Sequence, residues 1–173
     1  MLFRSDLGIR LELLHAPVTR TAAHGAEVDV ALARRITAES TALKRQLGIT
    51  NSASAETASA GVVLALAYPD RIAQARSDTK DGRFLLRNGR GAALTHPQGL
   101  SSAEYIVAAE LDGDARSSRI FLGAALTRSD LEQYFSDQFE IADIVEWDER
   151  SRSVRAHRQT RLGAIVLSDS VIT

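Results

Sequence analysis

The 173-residue sequence contains no cysteine. Disulfides and thiolate metal sites are therefore excluded, and the composition suits a reducing, cytoplasmic setting. Long apolar runs are missing too. The longest, residues 58–67, is interrupted by Ser59 and Gly61 and falls far below the roughly 20 residues a membrane span needs. Residues 1–6 have no apolar core of the signal-peptide kind. The expectation is a soluble protein with no membrane partner. Charge of one sign is also lacking. The formal net charge is -1, so bulk electrostatics do not announce a nucleic-acid partner. No G-x-x-x-x-G-K-[ST] motif occurs, and no acidic run follows an apolar strand, so ATP binding and hydrolysis by this chain are not expected. The four histidines, His15, His24, His96 and His157, lack metal-ligand spacing. Glu110, Asp112 and Asp114 surround a turn, which reads as a solvated turn rather than a pair of catalytic carboxylates.

What is present divides into a helical part and a strand-rich part. Residues 7–14 read as a short helix that Ala16-Pro17 ends, because the residue before proline avoids the right-handed helical region. A polar loop follows around His24-Gly25. The spacing predicts a helix over 29–47. Asp29 stands at its N-cap, Val30, Ala33, Ile36, Leu43 and Leu47 lie on one stripe, and Gly48 sits just past the end. Residues 49–57 form a small-residue linker. Residues 58–76 read as helical with a break at Tyr68 and a second short helix at 69–75, which Pro69 opens.

From Gly82 the pattern changes. Residues 83–88 and 91–95 flank Asn88-Gly89, a type I′ hairpin signal. Residues 104–111 alternate, with Tyr105, Val107, Ala109 and Leu111 on one face. Asp112-Gly113-Asp114 reads as a turn. Residues 117–127 put Ile120, Leu122, Ala124 and Leu126 on one face. Ser129 to Glu132 fits a capping box opening a short helix. Residues 139–148 and 153–162 read as a last hairpin. The fold class is thus α+β, with N-terminal helices followed by a small OB-like antiparallel β-barrel. The expected divisions are a helical segment 1–78, the barrel 79–150, and a final strand with the start of a further region at 151–173. Val107, Ile120, Leu122 and Leu126 are expected inside the barrel.

Three stretches carry a family resemblance. Residues 64–94 join an apolar helix, the break Tyr68-Pro69-Asp70, a basic segment and two strand-like pieces linked by Asn88-Gly89-Arg90-Gly91. Val145-Glu146-Trp147-Asp148-Glu149-Arg150 lies further on, before an Arg-rich strand and Leu162-Gly163-Ala164-Ile165-Val166-Leu167. This combination, from about residue 6 to 167, resembles the C-terminal half of HrpB-type ATP-dependent helicases, bacterial relatives of the DEAH-box RNA helicases. The resemblance implies that residues 1–76 are the tail of a helical bundle. It also implies that the barrel closes an RNA channel beside an upstream motor, which would bind ATP and Mg²⁺ through residues absent here. Implied partners are single-stranded RNA or DNA and that motor.

Two arginine groups are the candidate nucleic-acid contacts. Arg83, Arg87 and Arg90 are expected at one rim of the barrel, where guanidinium forks reach phosphates; a tight hairpin alone is the competing account. Arg155, Arg158 and Arg161 belong to the Arg-rich strand that also holds His157. Strand alternation sets Arg155, His157, Gln159 and Arg161 on one polar face, with Val154, Ala156, Arg158 and Leu162 on the other. That face serves nucleic acid, or its arginines pair with Glu146, Asp148 and Glu149 across the hairpin. Phe84, Tyr105 and Phe121 read as core rather than stacking platforms. The alternative functional class is a protein-interaction module docking a regulatory partner, since barrels of this kind serve both ends.

Overall fold

The computed structural model describes residues 5–15, 29–49, 59–76, 81–113 and 117–172. It divides the chain into two units, Leu7–Ala58 and a larger one made of Met1–Asp6 with Ser59–Thr173. The expected loop around His24-Gly25 and nearly all of the small-residue linker lie outside the described residues.

In the smaller unit, helix α1 spans Leu7–His15 and α2 spans Val30–Gln46. Asp29 caps α2 as the sequence indicates: its carboxylate accepts a hydrogen bond from the Leu32 N–H at 3.0 Å. Gly48 takes φ +65° just beyond the last turn. Of the stripe read from the sequence only Ala33 is buried.

In the larger unit, α3 (Ala60–Ala67) starts at Ser59, whose hydroxyl accepts from the Val62 N–H. The chain then breaks at Tyr68, makes one 3₁₀ turn over Pro69–Arg71, and enters strand β1, Ile72–Ala75. The helix expected over 69–75 is corrected here. Propensity yields to pairing, because β1 bonds β2 (Arg83–Leu86) on one side and β4 (Tyr105–Leu111) on the other. With β3 (Gly91–Leu94) and β5 (Ser117–Leu126), these strands close a barrel in the order β1-β2-β3-β5-β4. All pairs are antiparallel except β3 with β5, which corrects the expectation of a purely antiparallel barrel. The fold is α+β with an OB-like barrel, as the sequence indicates.

The barrel core gathers Ala73, Phe84, Leu86, Ile106, Ala108 and Ile120. The expected interior needs a correction at β4. Val107 and Leu126 are buried, but they lie outside this cluster. Tyr105 pairs with Leu126, and Val107 with Ala124, on the face turned toward α3. A Cβ on Gly61 of α3 would overlap the Ala125 carbonyl oxygen and press on Leu126. Glycine thus lets α3 lie on β5 without a gap. Both faces of β4 are covered, so alternation could not tell inside from outside. Leu122 is only half-buried.

Two turns differ from expectation. Residues 86–89 form the turn after β2, with the Gly89 N–H donating to the Leu86 carbonyl oxygen at 2.8 Å. Gly89 has φ +86° and Asn88 is not left-handed, so the turn is not type I′. The Asn88 side-chain oxygen accepts from the Arg90 N–H instead, at 3.0 Å. Helix α4 (Arg128–Phe135) is capped reciprocally by Thr127 and Asp130, two residues earlier than Ser129 and Glu132 suggest.

Beyond α4, strands β6 (Glu140–Asp148), β7 (Ser153–Leu162) and β8 (Ile165–Val171) form a separate sheet in the order β6-β7-β8. From the sequence, the barrel is expected to end at residue 150, with 151–173 given to a final strand and the start of a further region. Instead β7 is the middle strand of a second sheet, and a division at residue 150 falls within its β6–β7 hairpin.

Candidate nucleic-acid interface

The six arginines singled out by the sequence do not share one surface. Arg83 opens β2 and Arg87 follows its end, so strand rise alone separates them by roughly 13 Å. Arg83 is exposed and its Nε lies 2.7 Å from an oxygen of Asp81. Arg90, in the β2–β3 turn just before β3, donates to the Gly113 carbonyl oxygen at 3.2 Å. Arg119, which sequence reasoning did not pick, pairs with Asp112 at 3.4 Å.

Arg87 is differently employed. Its Nη1 donates to the Gln138 side chain at 2.8 Å, and its carbonyl oxygen accepts from the Ala164 N–H at 2.9 Å. Gly163 beside it has φ +59°, and a Cβ there would stand 2.6 Å from that oxygen. Arg87 therefore belongs to the junction where the β2–β3 hairpin meets the β7–β8 turn, not to the same rim position as Arg83.

That junction continues along β8. The Gln74 amide donates to the Val166 carbonyl oxygen at 2.9 Å, and an Arg128 guanidinium N–H donates to that of Leu167. Tyr105, which feels the nearby Arg128 charge, is almost wholly buried. Its hydroxyl has no hydrogen-bond partner among the described residues. Burial, with a contribution from neighbouring Glu104, pushes its phenol up to about 12.

On β7 the alternation read from the sequence holds, but the burial expected from it does not. Val154 is 64% exposed, because burial grows along the strand only toward Leu162. Arg155 lies 2.7 Å from Asp148, and Arg158 grips Asp143 with two bonds of 2.8 Å. Arg161 donates to Gln159. One of the expected cross-hairpin pairings thus forms, Arg155 with Asp148, while Arg158 takes Asp143, which the sequence reading did not name. Both aspartates are held below the usual carboxylate range. The cause at Asp143 is the Arg158 hydrogen bond, and at Asp148 first the Ser151 hydroxyl, then the Arg150 N–H. His157 Nδ1 lies 3.0 Å from Asp169. No group of three or more metal-binding side chains occurs among the described residues. None of their helices is long and apolar enough to cross a membrane.

A closed five-stranded barrel bearing a three-stranded sheet defines the class, an α+β barrel protein with an appended sheet module. Comparison with known proteins is specific about the module. Residues 138–170, which are essentially this sheet, match the family described as the ATP-dependent RNA helicase HrpB, connector region. Over 107 residues the chain is 35% identical to the ATP-dependent RNA helicase HrpB of Escherichia coli K12, covering 61% of this chain but 13% of that protein. A crystal structure of the E. coli DExH-box NTPase HrpB superimposes with TM-score 0.61 at 27% identity, over 93% of this chain and 20% of its own. A structure of the E. coli DEAH/RHA helicase HrpB, at 23% identity and TM-score 0.64, covers 98% of this chain and 18% of its own, and shares the fold. The connector match and the HrpB comparisons at 35% and 27% identity support a likeness to a C-terminal region of an HrpB-type helicase, as the sequence resemblance implies; the 23% comparison shows the fold alone.

Proposed function

We propose that this chain is an accessory region of an ATP-dependent RNA helicase, holding single-stranded RNA or DNA beside an upstream motor. The motor would supply ATP and Mg²⁺ chemistry; the chain itself has no phosphate-binding loop. The observation that carries the reading is an OB-like barrel, in a chain similar to HrpB, whose Arg83 is 72% exposed in a surface ion pair. An exposed pair contributes little to stability, so a phosphate can compete for the arginine at small cost. Arg90 stands in the β2–β3 turn of the same barrel, just before β3.

Binding of single-stranded oligonucleotides measured against salt concentration tests this. The expected affinity lies in the non-specific range of roughly 10⁻⁴–10⁻⁶ M and falls as salt rises. Replacing Arg83, Arg87 and Arg90 with alanine should flatten the salt slope. If the slope persists there and vanishes when Arg155, Arg158 and Arg161 are replaced, the contact lies on the sheet instead. Absence of binding at low salt overturns the reading.

A further inference from the structure

Strand β6 is the edge of the β6-β7-β8 sheet. Among the described residues it pairs with β7 alone, over nine consecutive registered positions without a bulge. Natural edges of this length are usually blunted by a bulge, a proline or a covering element. Among the described residues none of these covers β6, whose only guards are the carboxylates of Glu140, Asp143, Glu146 and Asp148. The face bearing Ile141, Val145 and Trp147 also carries Asp143, which Arg158 of β7 holds between Ile141 and Val145, and it continues onto Val154 of β7, which registers opposite Trp147. The four apolar side chains, Ile141, Val145, Trp147 and Val154, are 71%, 68%, 59% and 64% exposed. An apolar strip of this kind beside an open edge marks an interaction site.

The opposite face of the same strand carries charge of one sign. Glu140 and Glu146 lie on it six residues apart, roughly 20 Å by strand rise. Neither forms an ion pair among the described residues. Their register partners are engaged elsewhere: Arg155 holds Asp148, and Arg161 holds Gln159. The carboxylates oppose a phosphate backbone seated along β6 itself, the arginines of this face lying one strand further in on β7. The same carboxylates also disfavour a second copy of β6, since like charges across a ladder are destabilising.

We propose that the open edge of β6 takes an extended strand of another protein, apolar on the face it sets beside Ile141, Val145 and Trp147 and basic on the face it sets beside Glu140 and Glu146. Main-chain hydrogen bonds to the edge would give affinity, and the two faces would give selectivity. The inference is independent of the arginines on the barrel.

Trp147 is the only tryptophan in the chain, so its emission reports directly on this edge. The 173-residue chain is titrated with an eleven-residue peptide alternating valine and lysine, with the same peptide carrying glutamate for lysine, and with the lysine peptide N-methylated along one backbone edge. Saturable blue-shifting of Trp147 is expected with the first peptide only. Reversing charge by E140K and E146K together should turn the preference toward the glutamate peptide, changing relative affinity by roughly tenfold or more. Both positions are exposed, so the fold tolerates the change, and unaltered circular dichroism checks it. Equal binding of the two charged peptides overturns the proposal. So does equal binding of the N-methylated peptide, a blue shift with single-stranded oligonucleotide instead, or concentration-dependent dimerisation that covers Trp147.

Discussion

At the scale of single residues, Tyr105 stands out. It sets a buried phenol hydroxyl near Glu104, Gln74 and Arg128, yet none of the described residues meets it with a well-formed hydrogen bond. An unsatisfied buried hydroxyl costs its full desolvation, about 1–3 kcal/mol. The ring itself is well used, on the face of β4 that α3 covers. Tyr105→Phe should therefore be neutral or raise stability by about 1 kcal/mol, whereas Tyr105→Ala should lose about 3–5 kcal/mol. Urea denaturation of the two variants distinguishes these outcomes, and a clear loss for Tyr105→Phe would show that the hydroxyl has a partner. The sequence marked Tyr105 as core, and correctly. It could not show that both faces of its strand are covered, because alternation reports burial only where one face meets water. The arginines were less legible. Their number and spacing were plain, but Arg83 and Arg87 turn out to occupy opposite ends of one short strand.

At the scale of elements, the most readable were those with local chemistry. Asp29 and Gly48 bracket α2 because a cap and a left-handed C′ glycine act within a few residues. Elements fixed by distant partners were hidden: β1, whose neighbours are β2 and β4, read as helix, and β8 went unseen. The β6–β7 hairpin combines both kinds of signal. The Arg158 hydrogen bond depresses the Asp143 carboxyl, and the Ser151 hydroxyl and Arg150 N–H, with Arg155 beside them, depress that of Asp148. A carboxylate with a lowered folded-state pKa contributes stability above its unfolded value and loses it as pH falls. The hairpin should therefore hold its registration at pH 5 and above, and loosen progressively below about pH 4, where free aspartate protonates. The pairs are solvent-exposed, so the effect is local and weakens in high salt. Amide chemical shifts of 140–162 followed from pH 6 to 3 check it. A hairpin that loosens above pH 5 instead would assign the change to other groups.

For the larger unit as a whole, the question is what joins the barrel to the sheet. The joint is narrow: Gln74 and Arg128 each bond a β8 carbonyl oxygen, Ala164 bonds Arg87, and Leu162, Ile165 and Leu167 are buried at the sheet's base. The far end of the sheet, around Trp147 and Val154, is exposed. Two separate hydrogen-bonded sheets with a small joint between them should lose their contact before either loses its own ladder. Gly163 is the position where this can be forced. Its φ of +59° disfavours any side chain, and a Cβ would stand 2.6 Å from the Arg87 carbonyl oxygen. Gly163→Ala should therefore cost about 1–3 kcal/mol, concentrated at the joint. Native-state hydrogen exchange should then show faster exchange at Ala164 and through β8, with protection in β2 and β3 unchanged. A uniform loss of protection across Phe84, Leu86 and Ile106 would mean that barrel and sheet unfold as one cooperative body. In that case, force applied at the open edge of β6 would be carried undiminished into the barrel.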